Sequence, residues 1–498
     1  MEMIVTAALT VVLAHLLLGV VLWLRVRKLY SYPGLLGFPV IGNLYYFYRT
    51  LFLGSFESMR VYFHQTAKKH GKNGVCFHYI YGYRKLVLIS NPQIIKEIGF
   101  HPHLKDKPCY PFRGFRRYMN GPFSRPRSDQ LWRMRRTEYN YLLKKATVEN
   151  RFFQVFLNSA NKLVEILFAL PSPLNIHSAT IGVANSSTME TLFGVESSIA
   201  FHPEVISNMK SFKEVASVVI ANPRIANTIL NIVRPFDEIY ISKIGTMRKL
   251  VLREIYKSMN NNQSIPTEKA STESYHPLSM YIASRIEKSK KFNNRVVTEL
   301  QEVFITSSHS VASMMSSTLT FLAVIPELQE RAWKEQYDIF GKDTREPTLE
   351  DLEQMKLLER CLLESLRFLS PAFIAKQAAE DIEVDGITIP KGAMVVYLVE
   401  ITRKDPNYFK DPEAYDPDRF LQEDEELKYY YKPFGIGVRS CPGMHYAMTQ
   451  LKITLSKVLR RIKVSPVNKD LRFEDFEFEA QILLELKNPP LLQVEERV

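Results

Sequence analysis

The sequence predicts a mainly α-helical protein with small β-sheets at its margin, an α+β class in which helix far outweighs strand. Apolar residues at three- and four-residue spacing fill most of residues 55–370, which is the spacing of amphipathic helices. Aromatic and β-branched residues cluster only in short runs such as Val75–Ile80, which predict strands. With 46% hydrophobic and 24% charged residues among 498, the chain is neither intrinsically disordered nor collagen-like.

The individual elements follow from these two periodicities. The clearest helices are predicted at residues 153–170, 243–259, 297–323 and 349–368. Strands are predicted at residues 75–80 and 86–89, and a hairpin at residues 382–389 around a turn at Asp385 and Gly386. Residues 260–277, rich in Asn, Ser, Thr and Glu, predict a surface loop.

The N-terminus predicts a membrane anchor. Residues 3–24 carry no formal charge, and about 20 apolar residues suffice for a helix to cross a bilayer. Arg25, Arg27 and Lys28 follow at once, which places the N-terminus in the lumen by the positive-inside rule. A cleaved signal peptide is the alternative, but the length of the run and the lack of a small-residue cleavage site favour the anchor.

The rest of the chain predicts a strap followed by one large body. We assign residues 1–28 to the anchor and its basic stop, 29–45 to a proline-rich strap and 46–498 to a single large domain. In the strap, Pro33 and Pro39 cannot continue a helix. An ordinary linker of the same composition is the alternative.

Charge and cysteine content narrow the possible functions. The net charge of +12 favours acidic partners, which include anionic lipid, nucleic acid and an acidic redox protein. The four cysteines, Cys76, Cys109, Cys361 and Cys441, are too few for a disulfide scaffold. Because none forms a C-x-x-C pair, each is by default a small hydrophobic residue in the interior.

The segment around Cys441 predicts a different role for that cysteine. Three glycines and two prolines surround it in residues 433–448, and an apolar helical pattern follows. A thiolate is a ligand of haem iron, and a glycine-rich loop lets backbone amides approach the sulfur. The start of the next helix adds partial positive charge, and Arg439 is placed to pair with a haem propionate.

These residues resemble the cytochrome P450 superfamily, whose haem loop has the pattern F-x-x-G-x-x-x-C-x-G. Further landmarks occur in the family's order across nearly the whole chain. The matching residues are Phe434, Gly437, Cys441 and Gly443 for the loop, Trp132 and Arg136 for W-x-x-x-R, Glu364 and Arg367 for E-x-x-R, and Pro417, Arg419 and Phe420 for P-x-R-F. In the family the Glu and both Arg residues interlock beneath the cysteine loop. Alone, Glu364 and Arg367 would be an ordinary surface pair.

The resemblance implies haem b (iron protoporphyrin IX), with Cys441 as its proximal ligand. It also implies attachment to the endoplasmic-reticulum membrane, a lipophilic small-molecule substrate and no nucleic acid. Electrons would come from NADPH–cytochrome P450 reductase, with cytochrome b5 as a further partner. Residues implied to contact the haem are Phe434, Gly437, Arg439, Gly443, Trp132 and Arg136, with Lys376 as a point charge near a propionate. Candidates for the patch that meets the acidic reductase are Arg133, Arg135, Lys144, Lys145 and Lys432.

The central helix departs from the family pattern A/G-G-x-D/E-T, in which the acid and the alcohol deliver protons for oxygen activation. Residues 304–314 contain no Asp or Glu, and serines stand at the glycine position. Counting back from Pro326 puts Ser310 in the alcohol position and His309 in the acid position. Counting back from Glu364 puts Val311 and Ser310 there instead. A histidine can relay protons near neutral pH, whereas a His309 that faces away would take no part.

Three functions from different classes remain. The first is a monooxygenase that inserts one oxygen atom into a sterol, fatty acid, terpenoid or xenobiotic. The alternative is a P450-type isomerase, dehydratase or lyase that acts on a peroxide or another pre-oxidised substrate without a reductase. Loss of the acid–alcohol pair is the usual mark of those relatives. The third is a haem- or lipid-binding protein without turnover.

Overall fold

The computed structural model describes residues 56–80, 84–109, 121–196, 198–207, 294–421 and 427–497, with isolated positions between 6 and 34 and at 253, 254 and 278. Within these residues helix dominates and four small sheets are present, which confirms the predicted mainly helical class. The predicted loop at 260–277 lies outside the described residues. Of the predicted helix at 243–259 only positions 253 and 254 are described, and both are helical.

The helices and strands are numbered here in chain order. The helices are α1 (Phe56–His70), α2 (Pro92–Gly99), α3 (Gln130–Leu142), α4 (Phe153–Ala169), α5 (Ile176–Phe193), α6 (Asn294–Val324), α7 (Pro326–Phe340), α8 (Leu349–Gln354), α9 (Lys356–Leu369), α10 (Val399–Arg403), α11 (Leu427–Tyr430) and α12 (Met444–Arg461). The strands are β1 (Val75–Ile80), β2 (Arg84–Ile89), β3 (Ile374–Gln377), β4 (Ile382–Val384), β5 (Ile387–Ile389), β6 (Met394–Tyr397), β7 (Ile462–Pro466), β8 (Phe478–Ala480), β9 (Leu484–Leu486) and β10 (Leu492–Glu496). Short 3-10 and π-helical turns, such as Val148–Phe152 before α4, connect them.

The core is built around the long helix α6. It packs most extensively against α5, and α12 packs against both α4 and α6. Phe304, Met315 and Phe321 of α6 are fully buried in the largest apolar cluster. Pro326 ends this helix because a proline has no amide to continue the hydrogen-bond pattern, yet it fits the first turn of α7.

The largest sheet joins two distant parts of the chain in the order β1-β2-β6-β3. The β1–β2 pair is antiparallel, β2 runs parallel to β6, and β6 runs antiparallel to β3. The separate hairpin β4–β5 turns through Asp385 and Gly386, which have φ angles of 47° and 71°. Two consecutive left-handed residues form the turn that suits a tight hairpin, so the predicted turn is confirmed.

The helical prediction for residues 349–368 is confirmed, but the structure breaks the segment at Met355 into α8 and α9. Thr348 and Asp351 form a capping box at the start of α8. Glu335 of α7 accepts the amides of Leu357 and Leu358 at 2.5 and 3.0 Å. A carboxylate on the first free amides of a helix stabilises a new N-terminus, and this carboxylate comes from outside the segment.

The N-terminal region is described only in part. The described residues between 6 and 24 are helical and exposed. In the strap, the carbonyl of Pro33 accepts the amide of Phe77 in β1 at 2.8 Å. Among helices formed by described residues, none alone has the length and apolar character of a membrane span. The bent pair of Thr298–Val324 and Pro326–Phe340 meets those criteria only jointly. The anchor and the three-part division stay predictions.

Candidate active site

The loop before α12 holds Cys441 in a fixed backbone geometry. The amide of Cys441 donates to the carbonyl of Phe434 at 2.7 Å. Gly437 has a φ angle of 73°, and a Cβ there would lie 3.2 Å from the carbonyl oxygen of Gly99 at the end of α2. Both features favour glycine at position 437. The loop is therefore closed by its own hydrogen bond and lies against α2.

The Cys441 side chain is exposed by surface area, although protein atoms surround it. Burial raises the pKa of this thiol, whereas the backbone amide of Gly443 and the nearby Arg136 act to lower it. Burial also raises the pKa of Cys361, and no backbone hydrogen bond is among the causes that oppose it there. A thiol that is both accessible and desolvated lies on the wall of a recess. The stabilising amide and cation make it the better thiolate of the two.

A buried ion network joins α9 to the P-x-R-F segment. Glu364 is fully buried and accepts two hydrogen bonds from Arg367, at 2.8 and 2.9 Å, and one from Arg419 at 3.1 Å. Arg367 also donates to the carbonyls of Pro412 and Ala414. The interlocked arrangement that the resemblance implies is confirmed, and the surface-pair alternative is wrong.

Arg439 and Trp132 hold the loop that precedes α3. The guanidinium of Arg439 donates to the carbonyls of Arg125 and Pro126 at 2.7 and 2.9 Å. It also stacks on the Trp132 ring, 4.3 Å from the ring centre. The indole N–H of Trp132 donates to the carbonyl of Pro122 at 3.0 Å. Trp132 thus supports Arg439, and its contact with a propionate stays a prediction.

Further cations surround Arg439. Arg136 donates to the carbonyl of Ser440 at 2.5 Å, and its buried Nε has no hydrogen-bond partner among the described residues. Lys107 donates to the carbonyl of Phe123 at 2.5 Å, and Lys376 is buried. We call Arg136, Arg439, Lys107 and Lys376 the cationic cluster. Sequence reasoning missed Lys107, because it belongs to no motif.

The cationic cluster carries a surplus of positive charge. Burial, with repulsion from Arg439, lowers the pKa of Lys107 to about 7. The same two causes lower the pKa of Lys376 to about 8, and burial lowers that of Arg439 to about 10. Asp106 and Glu302 only partly oppose these shifts. An anionic group bound beside these residues would relieve the repulsion.

The helix α6 reaches the cationic cluster through one loop, because Glu302 accepts the amide of Phe123 and Lys107 donates to the carbonyl of the same residue. Its described side chains that are neither buried nor fully exposed are those of Thr306, Ser307 and Ser310, which follow one face of the helix. Val311 is buried. The Ser310 hydroxyl donates to the carbonyl of Thr306 at 2.8 Å. This geometry favours the alignment that starts from Pro326, with Ser310 on the open face.

His309 lies off that open face. It is buried, and its Nε2 is 2.8 Å from a carboxylate oxygen of Glu485 in β9. Sequence reasoning missed Glu485, which is far away in the chain and belongs to no motif. Ser308 donates back to the carbonyl of Phe304 at 2.7 Å, yet α6 remains one α-helix throughout, so this bond does not open the helix.

One residue of the predicted reductase patch is placed elsewhere. Arg135 is buried and pairs with Glu299 of α6 at 3.1 Å, so it cannot meet a partner protein. Arg133, Lys144 and Lys145 are exposed. The i+3 and i+4 spacing on α3 explains the error, since Arg135 faces the same core side as Trp132 and Tyr139.

A model of the cytochrome P450 family matches residues 33–492. The chain belongs to the cytochrome P450 family. The probable cytochrome P450 313a4 of Drosophila melanogaster is 25% identical over 497 residues, which cover 96% of each chain. Cytochrome P450 4g15 of the same species is 36% identical over 196 residues, 38% of this chain and 34% of that protein. Cytochrome P450 4c21 of Blattella germanica is 35% identical over 216 residues, 42% of each. The chain thus matches less than half the length of the last two relatives.

Membership in the P450 family implies a haem iron as cofactor and oxidoreductase chemistry. Three features of the recess fit this group. Cys441 offers a sulfur ligand, and the buried Nε of Arg136 lacks a partner among the described residues. The cationic cluster also has the surplus charge that two propionates would neutralise.

Proposed function

We propose that this P450 is a membrane-bound haem-thiolate monooxygenase with Cys441 as the proximal ligand of haem b. The observation that carries the proposal is the Cys441 thiol on the wall of a recess, close to a surplus of cations. When bound, the haem supplies the redox chemistry that activates dioxygen. The overall reaction consumes one substrate RH, O2, NADPH and H+, and yields ROH, H2O and NADP+.

In this proposal the protein holds the cofactor by sulfur at its centre and by cations at its edge. Phe434, Gly437 and Gly443 keep the Cys441 loop in shape, and the Gly443 amide stabilises the thiolate. The propionates would pair with the cationic cluster. Trp132 holds the Arg439 guanidinium in place by stacking. The sequence has no C-x-x-C-H attachment motif, which supports a haem bound without thioether links.

On the other side of the recess, Ser310 would hold and pass protons at the oxygen-binding position. Its hydroxyl is on the open face and bonds to the preceding turn, so its oxygen remains available as an acceptor. Thr306 and Ser307 give the same face further hydroxyl groups. Residues 303–324 of α6 contain no carboxylate, and Glu302, one turn before Thr306, accepts amides of the 121–124 loop.

The substrate is proposed to be a lipophilic small molecule. Phe123 is partly buried, and it lies in the loop before α3. Glu302 of α6 accepts three backbone amides of this loop, including the amide of Phe123. The partly buried Phe373 follows α9. Such apolar side chains suit a sterol, a fatty acid, a terpenoid or a xenobiotic.

The proposed electron donor is NADPH–cytochrome P450 reductase, with cytochrome b5 as a further partner, at the endoplasmic-reticulum membrane. The exposed Arg133, Lys144 and Lys145 support docking of an acidic partner. The uncharged run at residues 3–24, helical and exposed where it is described, supports the anchor.

The test is a spectral and turnover screen of the full-length chain against sterols, fatty acids and hydroperoxides. We expect a thiolate-type band for the reduced CO complex, a type I shift with one ligand class, and product that requires NADPH and reductase. Product from a hydroperoxide without NADPH, and none with reductase, would overturn the monooxygenase in favour of the isomerase class.

A further inference from the structure

A buried carboxylate from a distant strand meets the central helix at His309. Glu485 lies in β9, and its carboxylate is 2.8 Å from His309 Nε2. The two side chains are only 12% and 6% exposed. A desolvated carboxylate is costly unless it is paired, so the pair is a specific contact between the β8–β9 hairpin and α6.

The pair brings a carboxylate to a helix segment that has none of its own. Residues 303–324 contain no Asp or Glu. His309 directly precedes Ser310, whose hydroxyl lies on the open face. Glu485 therefore places a carboxylate against His309, the residue that directly precedes Ser310.

A second histidine extends this polar contact toward the surface. The rings of His177 in α5 and His309 lie 6.2 Å apart, edge to face. The Nδ1 of His177 is 3.1 Å from the hydroxyl of Ser316, and His177 is only half-buried. Among the described residues, Glu485 from β9 and His177 from α5 are titratable groups in contact with His309.

We propose that Glu485 is a positioning residue that holds His309 as the proton relay behind Ser310. This inference rests on the proposed monooxygenase function. With Nε2–H donating to the carboxylate, Nδ1 accepts a proton arriving from the His177 side, and the carboxylate stabilises the imidazolium. His309 then gives that proton towards Ser310 and returns to its neutral form. Each productive turnover consumes two protons this way, with no net change in the pair.

The first test replaces Glu485 by Gln in the full-length chain with NADPH–cytochrome P450 reductase. The amide keeps the size and hydrogen bonding of the side chain but removes its charge. Without productive proton delivery, O2, NADPH and H+ yield H2O2 and NADP+ instead of water and product. We expect the H2O2 released per NADPH to rise and O–O cleavage to slow by about tenfold. Loss of a group that transfers the proton itself would slow this cleavage by about 10²-fold or more. The measurement needs no identified substrate, because uncoupled O–O cleavage ends in water.

The matched control is Glu477→Gln in the same hairpin. Glu477 is exposed and pairs with Lys487, so its loss should leave peroxide release unchanged. The CO spectrum and the thermal midpoint of each variant show whether haem and fold are retained.

The second test moves the carboxylate of the pair from position 485 to position 309. His309→Asp brings two carboxylates together, so we expect poor coupling; adding Glu485→Gln leaves one carboxylate hydrogen-bonded to an amide and should restore coupling. Glu485→Gln should thus raise the H2O2 released per NADPH in the wild type and lower it in the His309→Asp variant. If the contact were merely structural, the substitution would change peroxide release in the same direction in both proteins. The double variant also keeps the test open if Glu485→Gln alone loses haem.

The outcomes separate the two proposals. Wild-type protein that couples NADPH to water or product, with Glu485→Gln equally coupled, overturns the relay alone. A wild type that binds haem but consumes no NADPH with reductase overturns the monooxygenase proposal and the relay with it.

Discussion

The two walls of the recess differ in how closely they follow the P450 pattern. The cysteine loop keeps every landmark, and a fully buried Glu364 network supports it. The wall formed by α6 has lost the acid and the glycine, and presents only hydroxyls on its described open face. A metal ligand needs one atom in one place, so its loop tolerates little change. A proton can arrive by several routes, and Glu485 shows how another element supplies the missing charge.

The largest effect of a substitution should come from the wall that contains the cysteine loop. Glu364→Gln leaves Arg367 and Arg419 buried with their compensating charge removed. We expect a loss on the order of 3–5 kcal/mol in the free energy of unfolding and failure to retain haem. Denaturant unfolding and the CO spectrum measure both.

The control for this change is Asp338→Asn, which removes an exposed pair with Lys334. Its cost should stay below about 1 kcal/mol. If Glu364→Gln proved as harmless as this control, the buried network would not be what supports the cysteine loop.

The next largest effect should come from the wall formed by α6. Ser310→Ala removes the hydroxyl on the open face, and we expect coupled turnover to fall by on the order of 10²-fold while NADPH consumption continues. Val311 is buried, so Val311→Thr should not compensate when it is added to Ser310→Ala. Recovery of coupling in that double variant would show that position 311 faces the oxygen site instead.

The affinity for haem should depend on pH through the two lysines at the edge of the cofactor site. The pKa values of Lys107 and Lys376, about 7 and 8, lie below the ordinary lysine value of about 10.4. Bound propionates would raise them, so haem binding takes up protons and haem affinity should fall as pH rises from about 7 to 10. The limit is about tenfold per pH unit for each lysine. Transfer of haem to apomyoglobin measures this affinity.

Lys107→Gln should flatten that pH dependence. The haem-free protein should show the opposite trend, with stability that rises over the same range, because its unfolded lysines bind more protons than its folded ones. A haem affinity independent of pH in the wild type would contradict the assignment of these lysines to the propionates.

The smallest effect concerns the exposed side of α3 and the turn that follows it. Lys144→Gln or Arg133→Gln should raise the KM for reductase by a few-fold, more at low salt than at high salt, because exposed charges act mainly on association. Arg135→Gln, on the buried side, should lower the thermal midpoint instead. Equal effects of all three changes on the KM would mean that this face does not dock the reductase.

The sequence predicted what is encoded locally. The β1 strand, the Asp385–Gly386 turn and the cysteine loop each depend on residues that are neighbours in the chain. Other features depend on residues that are distant in the chain. The pairing of β2 with β6 joins segments hundreds of residues apart. The break at Met355 depends on a cap from another helix, and the position of Lys107 depends on contacts outside any motif. Glu485 shows the limit most clearly, because nothing near it in sequence marks it as a partner of His309.

The most direct test of the central claim is the CO spectrum of the reduced protein before and after Cys441→Ala. We predict that the wild type gives the long-wavelength band of a thiolate-bound haem and that the variant does not. A wild-type protein without haem, or a thiolate band that survives the substitution, would contradict it.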